Sequence, residues 1–260
     1  MVGRLFAALL LLSGTAAAET ITLASTTSTE NSGLFAHLLP QFERDTGIGV
    51  RVVAVGTGQA IRLARNGDAD VVLVHHRASE EALVADGHGL ARHDVMANDF
   101  VIVGPGDDPA GIGSAESAAQ AFARIAETAA PFASRGDDSG THKAERGIWQ
   151  AANIDPVPAS GTWYRELGAG MGATLNTAAA MGAYTLADRA TWAAFANKGA
   201  LSLHLAGDAA LINPYGVIAL DPARHPHVNA AAAAAFVAWL LSPAGQAAIA
   251  GFKIAGEQVF

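Results

Sequence analysis

The 260-residue chain contains no cysteine. That excludes disulfides, thiolate metal centres and a cysteine nucleophile together, and with them the thioether that anchors a bacterial lipoprotein. Positive charge is scarce as well: 16 Lys and Arg face 24 Asp and Glu, a formal net charge of −8. No nucleic acid or anionic membrane is expected as a partner, because both are bound through a basic footprint. A small anion is compatible with that balance, since a local pocket of N–H donors outweighs a diffuse field. Long apolar runs are missing too. The hydrophobic fraction of 51% comes largely from alanine, and no run approaches the roughly 20 residues that span a bilayer.

The first residues do not read as part of the fold. Arg4 supplies a positive start, Leu5 to Leu12 an apolar stretch, and Ala16-Ala17-Ala18 the small residues of a cleavage site, which together make a signal peptide over residues 1–18. Glu19 is then the mature start. Without Arg4, 15 basic residues face 24 acidic ones, a net charge of −9. An exported protein with no lipid anchor is expected, and its length alone suits one large domain or two small ones.

Strands alternate with helices along the chain. "ETITLAS", "GVRVVAVG", "DADVVLVH", "DFVIVGP" and "DAALINPYGVIAL" have the alternation or the β-branched runs of strands. Helical patterns lie between and after them: Ser32 to Thr46, "GQAIRLARNG", "SEEALVADG", "HKAERGIWQAAN", "TLNTAAAMGAY" and "NAAAAAAFVAWLLS". Several end on Gly or Asn, as helix C-caps do. This order implies parallel βαβ units and an α/β class.

Ligands of α/β proteins sit at the carboxyl ends of strands, and four strand-to-helix turns here share one composition. They are "STTSTENSG", with Thr27 and Glu30 spaced as a capping box, then "VGTGQA", "SRGDDSGTH" and "GAGMGATLNT". Each combines Gly, Ser and Thr immediately before a helix. A helix start offers unpaired N–H groups and roughly half a positive charge, and hydroxyls add rotatable donors. One such turn is ordinary capping; four that converge would surround an anion with several oxygens.

Arg135, in the third turn, has four readings: a surface ion pair, part of an adhesion tripeptide with Gly136 and Asp137, a catalytic group, or the single cation of an anion pocket. The small donors around it favour the pocket, because a guanidinium brings a fork of N–H groups and stays charged at any biological pH. Asp137 and Asp138 read as braces, one pairing with Arg135 and one capping the helix that follows. No catalytic residue is expected. Ser139 lies near His142, but the Gly-x-Ser-x-Gly elbow is missing, and "GAGMGATL" lacks both the lysine of a P-loop and the spacing of a dinucleotide fingerprint. No metal site is expected either, because adjacent histidines such as His75 and His76 on a strand face opposite ways and the others are scattered. Trp163 and Tyr164 either pack the lobe, the default reading, or rim the cleft, and Glu80 and Glu81 make a favourable first helical turn.

"STTSTENSGL", "VGTGQAIRLARNGDADVVLVH", "NDFVIVGP", "SRGDDSGTHKAE" and "GAGMGATLNTA" occur in this order in a chain that resembles the periplasmic tungstate-binding proteins of ABC importers, the Tup type. The likeness runs from about Ile21 to "SPAGQAAI" near the C-terminus. It implies a type II periplasmic-binding-protein fold, two α/β lobes joined by two crossover strands with the ligand in the interlobe cleft. Lobe I would comprise residues 19–98 plus 215–260 and lobe II residues 99–214, with crossovers near "NDFVIVGP" and "NPYGVIAL". The resemblance assigns the ligand to Thr26, Thr27, Ser28, Thr57 and Gly58 of the first lobe and to Arg135, Ser139, Thr141, Gly172 and Thr174 of the second. One departure is Ser25-Thr26-Thr27-Ser28, where the family commonly has three threonines. The implied protein is a periplasmic monomer without cofactor, which captures tungstate, or alternatively molybdate, phosphate or sulfate, for a membrane permease. A secreted hydrolase is the remote alternative. Tungstate and molybdate are tetrahedral dianions that accept hydrogen bonds and donate none, so a matching pocket consists of donors. A carboxylate that reached the ligand would favour phosphate, which carries a proton near neutral pH.

Overall fold

A computed structural model of the protein describes residues 19–254 and 256–260. The signal peptide read over Met1 to Ala18 lies outside the described residues. In the first lobe, β1 (Thr20–Thr26) pairs in parallel with both β2 (Gly49–Val55) and β3 (Val71–Val74). The connections are helical, as parallel pairing requires: α1 (Thr27–Asn31) and α2 (Leu34–Thr46) between β1 and β2, and α3 (Thr57–Asn66) between β2 and β3. Gly47 and Gly67 end α2 and α3 at φ 74° and 80°, a left-handed conformation that favours glycine.

The remaining strands of this sheet run the other way. β9 (Ile212–Leu220) is antiparallel to β3, and β4 (Gly89–Pro105) is antiparallel to β9. α4 (Arg77–Ala85) joins β3 to β4. The sequence pattern predicts β4 only from Asp99, whereas the strand starts ten residues earlier. Its first half is the outer strand of the first-lobe sheet, and register shifts between Gly89 and Arg92 and between Asp94 and Met96 break the apolar alternation. Arg92 on that half pairs with Glu80 at 2.6 Å, and Glu80 also accepts the N–H of His76 at 2.6 Å. Glu80 lies in the first turn of α4, as the sequence implied, and it is fully buried, so it is an internal ion-pair partner as well.

Beyond Asp99, β4 continues into the second lobe. Phe100 to Val103 pair with β7 (Thr185–Asp188), and Ile102 to Pro105 with β8 (Leu201–Leu205). β5 (Phe132–Ser134) is parallel to β6 (Tyr164–Glu166) and bridges to Tyr184 beside β7. Around these lie α5 (Ala118–Glu127), α6 (Gly140–Ala151), α7 (Met171–Met181) and α8 (Arg189–Ala194). Several of these elements escaped the sequence reading, because strands of three residues such as "FAS" and "YRE" are too short to show a period. The chain closes with α9 (Ala230–Leu241), α10 (Pro243–Gly251), β10 (Lys253–Ile254) and β11 (Glu257–Gln258). Among the described residues no single helix is long and apolar enough to cross a membrane; α9 and α10 qualify only as a pair bent by 62°.

Each lobe has its own interior. Leu34, Leu38, Phe42, Phe236 and Leu240 pack beneath β1, β3 and β9. Phe122, Phe132, Trp149, Tyr164 and Tyr184 form an aromatic centre in the second lobe. Trp163 packs against it and Tyr164 is fully buried, so both serve packing, where full burial of a large apolar side chain contributes about 1.5–3 kcal/mol. α8 crosses the division, since Ala190 and Ala193 pack in the first-lobe interior.

Candidate functional site

The ends of β1, β2 and β3 in the first lobe meet the loop after β5 in the second. At the end of β1, Thr26 caps α1: its Oγ1 accepts the N–H of Thr29 at 3.3 Å and lies 2.7 Å from Oγ1 of Thr29 and 3.1 Å from Oγ of Ser28. The capping box predicted from Thr27 and Glu30 does not form, because β1 extends through Thr26 and moves the cap one residue back. Thr26, Ser28 and Thr29 are buried, and Thr27 is half-buried. Ser25 is committed inward to the carbonyl of Leu73 at 2.6 Å.

Thr57 begins α3 behind Gly56, and that helix start has no side-chain cap. Thr57 is fully buried, and its Oγ1 accepts the N–H of Gly140 from the second lobe at 3.1 Å. The lobes touch again at Gly58, where a Cβ would stand 2.5 Å from Oδ2 of Asp138. Gly140 is hemmed in more rigidly. A Cβ there would meet Cε1 of the His75 ring at 2.6 Å and Oγ1 of Thr57 at 3.1 Å.

On the second-lobe side, Arg135 is only 3% exposed. Its Nε donates to the carbonyl of Ala169 at 2.8 Å and Nη2 to Asp137, while Nη1 has no hydrogen-bond partner among the described residues. Against the opposing effect of burial, hydrogen bonds from Ser139 and then the Arg135 guanidinium hold the Asp137 carboxyl below the usual range. Asp137 is therefore the predicted brace of Arg135. The second brace is different: Ser139, not an aspartate, caps α6 by accepting the N–H of His142 at 3.2 Å. Asp138 sits at φ 57° and turns outward to Lys143 at 3.2 Å. Thr141 is buried, and its hydroxyl makes no hydrogen bond.

α7 approaches the same region at its start, because Arg135 and Ala169 exchange hydrogen bonds: the Ala169 N–H donates to the Arg135 carbonyl at 3.1 Å. The α7 start at Gly170 has no side-chain cap. Gly172 is half-buried in its first turn. Thr174 is fully buried, and its hydroxyl is spent on the Gly170 carbonyl at 3.2 Å.

Below Arg135 lies a buried acid. Glu145 accepts from the Tyr164 hydroxyl at 2.7 Å and from the Trp149 indole at 3.2 Å. Burial pushes its carboxyl up to about 7, against hydrogen bonds from Tyr164, Ser134 and the Arg135 backbone. This support was not predicted; its signal was a glutamate four residues before a tryptophan on one helical face.

A second set of polar residues gathers from separate strands, which no spacing in the sequence displays. His75, 6% exposed, has Nδ1 at 2.9 Å from Oδ1 of Asn213, and Asn213 donates to Oδ1 of Asn98 at 2.6 Å. Asp188 ends β7 and caps α8 through the Thr191 N–H at 2.8 Å, leaving Oδ2 without a hydrogen bond. Burial raises the Asp188 carboxyl, and the Arg135 charge opposes that rise. The faces of the histidine pair are as the sequence implied. His75 points inward, whereas His76 caps α4 by accepting from the Ser79 N–H.

Beside the lobe contact is an open recess of ≈ 710 Å³, bordered by His76 from the first lobe and by Asp138, His142, Lys143 and Arg146 from the second. The other histidines are less scattered than they appear in sequence. Nδ1 of His88 lies 3.1 Å from Nε2 of His225, and His227 reaches the Gly67 carbonyl at 2.8 Å. Among the described residues no group of three or more histidines or carboxylates is arranged to hold a metal ion.

Residues 13–244 match the family model of the PBP superfamily domain. The chain is 46% identical over 237 residues to the tungstate-binding protein TupA of Peptoclostridium acidaminophilum, covering 90% of this chain and 82% of that one. Among solved structures, TupA of Desulfovibrio alaskensis superposes with a TM-score of 0.81 at 44% identity, over 93% of this chain and 98% of that one. The tungstate ABC transporter protein of Geobacter sulfurreducens gives 0.83 at 46% identity, over 91% and 100%.

Proposed function

The chain belongs to the PBP superfamily and, within it, to the Tup-type tungstate-binding proteins, and from that premise we propose that it captures tungstate in the interlobe cleft for an ABC importer. The mechanism is binding without chemistry. Hydroxyls and N–H groups of Thr26, Thr27, Ser28, Thr57 and Gly58 meet the anion from the first lobe. Arg135, Thr141 and the helix starts at Ser139 and at Gly172 to Thr174 complete its shell. Residues 19–98 with 215–260 and residues 99–214 act as the two bodies that close on it. Thr174 acts through position, since its hydroxyl donates to the Gly170 carbonyl, and Ser139 acts at the α6 start, where its hydroxyl oxygen accepts the His142 N–H.

The observation that carries the reading is Arg135: a buried guanidinium at the lobe contact, braced by Asp137 and Ala169, with Nη1 uncommitted. Two uncapped helix starts, one from each lobe, support it, because an unpaired helix N-terminus favours negative charge. The protein acts outside the cytoplasm, in the periplasm, as a monomer with no cofactor and no enzymatic activity, and its macromolecular partner is a membrane permease. Closing shifts a population between open and closed forms.

Thermal melting with tungstate, molybdate, sulfate, phosphate and no anion tests the reading. An anion at about a thousand times its Kd stabilises by roughly 4 kcal/mol, so tungstate should raise the Tm clearly. No response to tungstate or molybdate overturns the assignment, and a response to phosphate alone replaces it with phosphate capture.

A further inference from the structure

His75 directly follows β3, where the two lobes touch. Because the Asn213 amide donates to Asn98, its oxygen faces His75, so Nδ1 of the ring carries the hydrogen and Nε2 presents a lone pair. Nε2 lies 3.4 Å from Oγ of Ser28, a hydroxyl of the proposed anion shell. The ring is held on its other sides by Tyr215, centroid to centroid 4.8 Å, and by Gly140 of the second lobe. Burial, with the nearby Arg135 and His76 charges adding to it and the Asn213 hydrogen bond opposing, lowers its pKa to about 4. At neutral pH the ring is uncharged. The Ser28 hydroxyl donates to this lone pair, and when that hydroxyl turns to a fully deprotonated oxyanion the ring nitrogen is left an unmatched acceptor in a shell otherwise built of donors.

We propose that His75 is a ligand-binding residue of the oxyanion site, and that its Nε2 takes a proton from solvent as the dianion enters. The ring then supplies a second cation in addition to Arg135 and one more donor. This rests on the oxyanion reading above. The charged and titratable groups around the ring are Arg135 from the β5–α6 loop, His76 on its own segment and Tyr215 on β9. Asp137 already balances Arg135, so two added negative charges act on the ring directly and oppose the effect of burial. Asp188 is the competing acceptor: it is equally buried, has a free Oδ2 and lies within the electrostatic reach of Arg135 and Tyr215.

Calorimetric titration with sodium tungstate and with sodium molybdate, at neutral pH in buffers of different ionisation enthalpy, counts the protons. The protein should take up about one proton per anion, and affinity should fall about tenfold per pH unit between the free and bound pKa values of the ring. His75→Gln, which can still donate an amide hydrogen, should bind without uptake and with little pH dependence. Asp188→Asn should leave the uptake unchanged. Independently of any variant, the His75 ring resonances of the wild-type protein should move from the neutral to the charged position when tungstate is added. Binding without uptake, uptake that survives His75→Gln or disappears in Asp188→Asn, or unmoved ring resonances overturns the proposal and leaves tungstate capture standing. If phosphate, which brings its own proton to Nε2, binds more tightly than tungstate, or if neither metal oxyanion binds, the oxyanion reading fails and this proposal with it.

Discussion

The two lobes bring unlike chemistry to the boundary they share. The first presents neutral hydroxyls that bond mainly to one another: Thr26 to Ser28 and Thr29, with the Ser28 hydroxyl beside an uncharged His75. The second presents a fixed cation, Arg135, whose guanidinium is tied to Asp137 and Ala169 above a buried acid and an aromatic frame. A hydroxyl proton can rotate from a neighbour to a newcomer at little cost, whereas a buried guanidinium held at two of its nitrogens cannot follow a moving ligand. The contrast teaches a division of roles in the proposed site, with one lobe adapting to the anion and the other defining where its charge sits.

Removing the cation breaks that division most severely. Arg135→Ala should weaken tungstate binding on the order of a thousandfold, the range expected when a buried charged partner is deleted, while the Tm of the anion-free protein changes far less. Calorimetry and melting on the same samples check this. A collapse of the anion-free protein with surviving affinity would make Arg135 structural.

Next in size is the response of the two supports to pH. The Glu145 carboxyl is raised to about 7, so its contribution to stability is full below its unfolded value of 4.5 and is lost as pH rises through 7, a change of up to about 3 kcal/mol. His75 has the opposite sign. Lowered to about 4, it favours the fold above 6.5 and loses that contribution as pH falls toward 4. Denaturant melts from pH 4.5 to 7.5 should therefore tilt in opposite directions in the two variants, with stability rising with pH in Glu145→Gln and falling in His75→Gln. Parallel profiles would show that the two lobes are not distinguished in this way.

Gly140→Ala should have a smaller effect, because its added methyl meets the His75 ring and Thr57 only when the lobes are in contact. Overpacking costs about 1–3 kcal/mol, so affinity should drop roughly tenfold. The Tm without anion should hold, since opening relieves the clash. Equal loss in both measurements would place the strain inside one lobe.

The second-lobe half of the site was the more legible in sequence, because its geometry is local. Arg135 and Asp137 are two residues apart, and the donors of "SRGDDSGTH" run directly into a helix. The first-lobe half depended on partners more than 100 residues away. His75, Asn98 and Asn213 meet only after β3, β9 and β4 pair, and no spacing in a linear chain displays that. The adjacency of His75 and His76 bears only on a shared metal ligand and carries nothing about a single inward imidazole just beyond a strand. The α1 cap was misplaced for a related reason: parallel pairing with β2 keeps Thr26 extended, so tertiary structure decided a boundary that local preference put one residue later.

In β4 and β9, Asp99 stands opposite Ile212. The chain thus departs for the second lobe and returns from it at two points one strand spacing apart, about 4.8 Å. In evolutionary terms the intervening segment is a cassette: a different module with similarly close ends could be exchanged there while every pairing between β1, β2, β3 and β9 is kept. On the proposed site, such an exchange would replace the arginine and keep the first-lobe hydroxyls.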